Sequence, residues 1–156
     1  MRRIILISFI LCLAGCHGGV FDYKSGVVLE SQRIPFPSDN QVSGTWDGSD
    51  LRVDYQWIRT GADVRFLGEI RFAGHLRHNY ERLDSFHFAL IFIGPEGKVL
   101  EIRDIEARTE GLETASFDAA LHLPGDASHF AFSYQGVAST VDADELDFWN
   151  YPIRNW

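Results

Sequence analysis

Leu51-Arg52-Val53-Asp54-Tyr55-Gln56-Trp57 decides the fold. Large apolar side chains alternate with Arg52, Asp54 and Gln56, the period-two pattern of a strand with one buried face. Arg59-Thr60-Gly61-Ala62 follows as a turn. Val64, Phe66, Ile70 and Phe72 then alternate with Arg65, Glu69 and Arg71. The two runs predict a hairpin. A turn centred on Thr60-Gly61 pairs Trp57 with Val64, Tyr55 with Phe66 and Leu51 with Ile70, with Arg52 opposite Glu69. A one-residue slip would bury the charges and expose the rings. In this register Gly68 faces Val53, which predicts that it lies under a neighbouring aromatic or marks a bulge.

Further strands lie on both sides. Ser85 to about Ile105 reads as a second hairpin around Gly94-Pro95-Glu96-Gly97. That turn suits a three-residue loop with a left-handed glycine, which pairs Phe92 with Leu100 and Leu90 with Ile102. Phe86, Phe88, Leu90 and Phe92 form one face of its first strand. The other face carries His87, Ala89, Ile91 and Ile93 and is also mostly apolar, as in a central strand. Ala115 to Leu123 and Phe130 to Tyr134 alternate in the same way around a Pro124-Gly125-Asp126 corner. Upstream, residues 24–34 predict a strand around Val27, Val28, Leu29 and Ile34, followed by a loop from Pro35 to Asn40. Residues 73–84 form a polar connection with room for a helical turn.

Together these make about seven short, evenly spaced strands, the pattern of an all-β antiparallel sandwich. A lipid-facing barrel is excluded by the charges at Asp54, Glu69 and Glu101 inside the strands. The tail, 141–156, crowds Leu146, Phe148, Trp149, Tyr151, Ile153 and Trp156 together. Asp142 followed by Glu145 has capping-box spacing and predicts a short C-terminal helix through about Trp149, or a strap, ended by Pro152.

The Leu123-Pro124-Gly125 corner before an aromatic strand resembles that of immunoglobulin-like and fibronectin type III domains. The resemblance implies an immunoglobulin-like β-sandwich. Ser128 stands where the tyrosine of that corner is expected, and the inter-sheet disulfide of antibody domains has no cysteines to form it.

Arg2 and Arg3 precede an apolar run from Ile4 to Leu13 that is too short to span a bilayer, the layout of a secretory signal. Its ending, Leu13-Ala14-Gly15-Cys16, resembles the lipobox of bacterial lipoproteins. That resemblance implies acylation of Cys16 and cleavage before it. His17, in place of an aspartate, then points to the outer membrane. The expected organisation is a signal peptide at 1–15, a lipidated tether at 16–24, a β-sandwich at 25–140 and an aromatic strap at 141–156. The tether reaches at most about 25 Å at ~3.3 Å per residue. Cys12 would leave with the signal, so the mature domain would have neither a disulfide nor a free thiol. Without Arg2 and Arg3, 12 basic residues stand against 22 acidic ones, a balance of −10 that disfavours nucleic acid.

Candidate sites are sparse. His75 and His78, with His87 further along, lack zinc-motif spacing. Asp142, Asp144, Glu145 and Asp147 read as a solvated helix start. No nucleophile motif or phosphate loop appears, so the expectation is a non-enzymatic module without metal or cofactor. Its partners are the membrane, through Cys16, and another envelope protein. Phe148, Trp149, Tyr151 and Trp156 are the candidate contact residues, because Trp and Tyr dominate interface hot spots. The competing reading packs the tail over Ala89, Ile91 and Ile93. The alternative function is small-ligand or carbohydrate binding at Trp46 and adjacent loops.

Overall fold

Chains that alternate apolar and polar residues bury one face per strand, and two such sheets seal each other. The structure, a computed structural model, describes residues 26–154. Cys16, the signal and tether segments and Trp156 lie outside the described residues. One sheet contains β3 (Gln41–Asp47), β4 (Leu51–Thr60), β5 (Asp63–Phe72), β8 (Ala107–Thr109) and β9 (Thr114–His122), in the order β3-β4-β5-β9-β8. The facing sheet contains β6 (Arg82–Ile93), β7 (Val99–Ile105), β10 (His129–Ser139) and β11 (Glu145–Asn150), in the order β11-β10-β6-β7. There β2 (Ile34–Pro35) pairs with the start of β10. A two-stranded ribbon joins β1 (Val27–Val28) to β12 (Ile153–Arg154), and α1 spans Gly74–Asn79.

The described residues thus form an all-β antiparallel sandwich. It has twelve strands rather than about seven, because the expected first strand splits into β1 and β2 and the chain adds β3, β8, β11 and β12. Within it, β4-β5-β9-β8 faces β7-β6-β10-β11.

Neither hairpin keeps its expected register, and only the first keeps the expected faces throughout. In the first, Trp57 faces Phe66, Tyr55 faces Gly68 and Leu51 faces Phe72, two residues away from the register centred on Thr60-Gly61. The turn centres on Gly61-Ala62, with Gly61 at φ 66°. A two-residue slip leaves every apolar side chain on the core side, so alternation could not detect it. Gly68 does lie under an aromatic: a Cβ there would sit 2.8 Å from Phe117 Cζ.

In the second hairpin the loop closes as expected, with Gly94 N–H donating to Lys98 O at 2.9 Å and Ile93 facing Val99. The ladder then shifts at a bulge. Phe92 faces Glu101, Leu90 faces Arg103 and Ile91 faces Ile102, instead of Phe92–Leu100 and Leu90–Ile102. Leu100 takes up the extra residue and packs on the main core, while Ile102 joins a second apolar cluster on the outer face.

The tail is the largest departure. No helix forms within 141–154. Glu145–Asn150 is strand β11, hydrogen-bonded to the free edge of β10, so these residues belong to the sandwich and are not a separate strap. Asp142 and Glu145 do not cap a helix. Thr140 to Asp144 make a tight turn with Ala143 at φ 66°, closed by Thr140 N–H donating to Asp144 O at 3.0 Å.

Trp57, Phe66, Phe72, Phe88, Phe92, Phe130 and Phe132 fill the space between the sheets. Burying such a side chain is worth about 1.5–3 kcal/mol. The smaller cluster of Val28, Ile91, Ile93, Val99, Ala131 and Ile153 lies outside the β6–β10 sheet, roofed by β1 and β12. Arg33 clamps that roof: Nε and Nη2 donate to the Val28 carbonyl at 2.9 and 2.8 Å.

Candidate functional site

Alternation along β11 sends Leu146 and Phe148 into the core and Asp147 and Trp149 outward. Trp149 faces Gln135 on β10, which faces His87 on β6, so these three make one row across the outer face. The next row holds Ser133 and Ala89, with Asp104 on β7 facing Ala89. Ser133 and Ala89 are small, and Tyr151 follows Trp149 along the rim. The result is a groove of about 430 Å³ between the Trp149 and Tyr151 rings on one side and Ile102 and Asp104 on the other.

Local hydrogen bonds hold the aromatic rim. Asn150 Nδ2 donates to the Phe132 carbonyl at 3.0 Å, and Ser133 Oγ donates to the Asn150 carbonyl at 3.0 Å. Asn150 thereby occupies the stretch of β10 edge between β2 and β11. The rings themselves stay open: Trp149 is 64% exposed and Tyr151 50%.

Two depressions on the opposite outer surface, of about 460 and 420 Å³, flank Leu67. Their charges are already paired. Arg65 meets Asp118 in a bidentate contact, with Nε donating to Oδ1 at 2.8 Å. Thr45 Oγ1 donates to Asp54 Oδ1 at 2.7 Å and, with Arg52 and Arg71 adding, holds that carboxyl below the usual carboxylate range. In the Trp149 groove, by contrast, the side chains of His87, Asp104 and Gln135 make no hydrogen bond among the described residues. Two rings beside three polar side chains of this kind can stack on a planar or apolar group and hydrogen-bond its neighbours.

The residues singled out by sequence separate. Trp149 and Tyr151 line the groove. Phe148, one position from Trp149, is only 3% exposed and packs on Phe72, Phe86 and Tyr134, so it is a core residue and not a contact residue. Ile153, rather than the exposed rings, covers Ile91 and Ile93. Trp46 is half-buried on the core side of β3, with its ring 5.2 Å from Phe132 and 6.2 Å from Tyr134, which removes it as an open stacking platform. His87, Asp104, Ser133 and Gln135 escaped sequence reading as a set, because strand parity gives their face but not their cross-strand neighbours.

His75 and His78 lie on α1, whereas His87 lies on the outer face of the facing sheet. Among the described residues no group of three or more His, Cys, Asp or Glu side chains is arranged to hold a metal ion. His75 turns to Asp50, with Nε2 3.3 Å from Oδ1. On the other carboxylate oxygen, Tyr134 OH donates to Oδ2 at 2.8 Å and Ser49 Oγ donates at 2.9 Å. The serine hydroxyl therefore faces the carboxylate rather than the imidazole, and the cluster joins the β3–β4 turn to β10 and α1. Burial first, and the Asp50 carboxylate as a further cause, push the Tyr134 phenol up to about 12. Compared with known proteins, the chain matches no family model, no curated protein and no solved structure.

Proposed function

We propose that this chain is a lipid-anchored, non-enzymatic binding or assembly module of the bacterial cell envelope, held through Cys16 at the outer membrane. It meets another envelope protein through the outer face that carries Trp149 and Tyr151. One observation carries this reading: two large rings stand half or more exposed beside a groove, while the rest of the same face is roofed by the chain itself. Rigid aromatic anchors of this kind bury large area at low entropic cost, and they are the side chains that dominate interface energies.

The test is affinity capture from envelope membranes with the full chain and with Trp149→Ala and Tyr151→Ala. Removing the whole tail is unsuitable, because Phe148 and β11 complete the core and the sheet. Loss of a co-purifying protein at unchanged thermal stability supports the reading. The same partners in all three samples would refute it. The anchor has its own test: Cys16→Ser should accumulate as an unacylated, uncleaved precursor, and normal processing would mean an ordinary signal peptide.

The second reading is carbohydrate binding, now at this groove rather than at Trp46. It is favoured by the hydrogen-bonding groups of His87, Asp104 and Gln135 beside the two rings. Glycan retention lost in Trp149→Ala and kept in Trp46→Ala would select it over a protein partner.

A further inference from the structure

An open sheet edge presents unpaired N–H and C=O groups and accepts another strand unless something blocks it. Most edges of this sandwich are blocked. The β7 edge is bulged at Leu100, and Glu101 and Arg103 stand on its core-facing side opposite Phe92 and Leu90. The β8 edge is three residues long. On the remaining side of the β6–β10 sheet, β2 has two residues including Pro35, and β11 carries Glu145 and Asp147.

Strand β3 has none of these devices. It pairs with β4 without a bulge over all seven residues of Gln41–Asp47. It has no proline and no basic residue, and its one charge, Asp47, pairs with Arg52 at 3.4 Å. Among the described residues no strand pairs with its outer side.

The direction of its backbone groups follows from the ladder. Arg59 N–H donates to Asn40 O at 2.7 Å and Gly48 N–H donates to Leu51 O at 2.8 Å, so even-numbered residues turn their N–H and C=O toward β4. Gln41, Ser43, Thr45 and Asp47 therefore point theirs off the edge.

We infer that β3 pairs with β3 of a second copy of this chain, antiparallel about a two-fold axis at Gly44, which joins two five-stranded sheets into one. The segment is self-complementary in that register. Ser43 faces Thr45 of the second copy and Gln41 faces Asp47 of the second copy, which uses every backbone group that points off the edge. Val42 faces Trp46 of the second copy on the core side, at non-hydrogen-bonded positions where side chains lie closest. Gly44 faces itself. Its bareness already has a structural use, because a Cβ there would collide with the Tyr55 hydroxyl.

Neighbouring registers are worse. A shift of two residues one way brings Asp39 opposite Asp47 of the second copy. A shift the other way leaves Trp46 opposite a glycine. No Asp or Glu faces another in the Gly44-centred register, so the acidic net charge does not act directly across the pair.

The test uses the full chain in its membrane. Ser43→Cys with Thr45→Cys places the two thiols on a hydrogen-bonded pair, whose Cα separation of about 5.5 Å lies inside the disulfide range. Mild oxidation should give a covalent dimer. Ser43→Cys alone should cross-link about tenfold less, because its opposite position is Thr45. Ser43→Pro removes an N–H that makes no bond to β4, and an outward N–H is where an edge strand tolerates proline. In detergent it should turn the dimer seen by light scattering into a monomer, with the thermal midpoint shifted by only a few degrees.

A monomeric parent chain, or a double-cysteine variant that stays unlinked or links only to a different protein, overturns the proposal. So does single-cysteine linkage equal to that of the double variant. The pairing is independent of the groove: Trp149→Ala should dimerise like the parent chain, and a dimer lost in that variant overturns the β3 assignment.

Discussion

The outer face of the β6–β10 sheet has two halves built on the same two strands. One presents Ile91, Ile93 and Ala131 and lies under Val28 and Ile153, so it is as dry as the core. The other presents His87, Ala89, Ser133 and Gln135, and nothing from the described chain covers it except the rim of Trp149 and Tyr151. The boundary falls where β-branched apolar residues give way to small and polar ones. A few residues along one strand thus separate a surface the chain must seal from one it can leave open. Burying the first removes apolar area from water, whereas burying His87 or Gln135 without a partner would cost free energy.

Five substitutions, one of them read through a pH titration, can break or sharpen that contrast. Ile91→Asp puts an unpaired carboxylate under the roof and should cost more than about 4 kcal/mol, seen as loss of the cooperative urea transition. Phe148→Ala empties a core site and should cost about 3–5 kcal/mol by urea unfolding. A cost near zero there would mean that β11 is not docked. Ile153→Ala thins the roof at its solvent edge and should cost about 2 kcal/mol by the same measurement, the low end for such a truncation.

A smaller difference separates the two sides of β10. Tyr134 faces inward between the outward residues Ser133 and Gln135. A phenol whose pKa is raised in the fold contributes stability in full below its free value near 10 and loses it as pH rises through about 12. Parent protein should therefore lose stability across that window, and Tyr134→Phe should lose less of it in pH-dependent urea melts. Trp149→Ala comes last: its stability should stay within about 0.5 kcal/mol of the parent, while partner capture falls. A large stability loss would make Trp149 part of the roof and erase the distinction between the halves.

Much of this was legible in the residues. The alternation of Leu51 to Trp57 and Val64 to Phe72 assigned every side chain to its correct face. Pro95 and Gly97 located their loop, and Gly68 was expected under an aromatic or at a bulge, of which the first holds. The misses share a cause. The two-residue register error in the first hairpin leaves every apolar side chain on the core side, and the bulge at Leu100, which turns Ile102 outward onto the roofed cluster and Glu101 and Arg103 to the core-facing side, depends on contacts beyond the hairpin, so a local pattern detects neither. The Asp142–Glu145 spacing reads as a helix start only while the free edge of β10 is unknown. Once that edge exists, Leu146, Phe148 and Asn150 match it as a strand. For the candidate site, the exposure of Trp149 and Tyr151 and the burial of Phe148 follow from that one change of secondary structure.

By itself the sequence determined the all-β class, the inward and outward residues of the first hairpin and the apolar character of both faces of β6, because burial chemistry and a period of two are local properties. Only the tertiary structure decided which half of that second face is roofed, that the tail is a strand and that Trp46 is half-buried. Those outcomes depend on which edges and surfaces remain unfilled after the sheets have formed, and such vacancies are created by residues far apart in the chain.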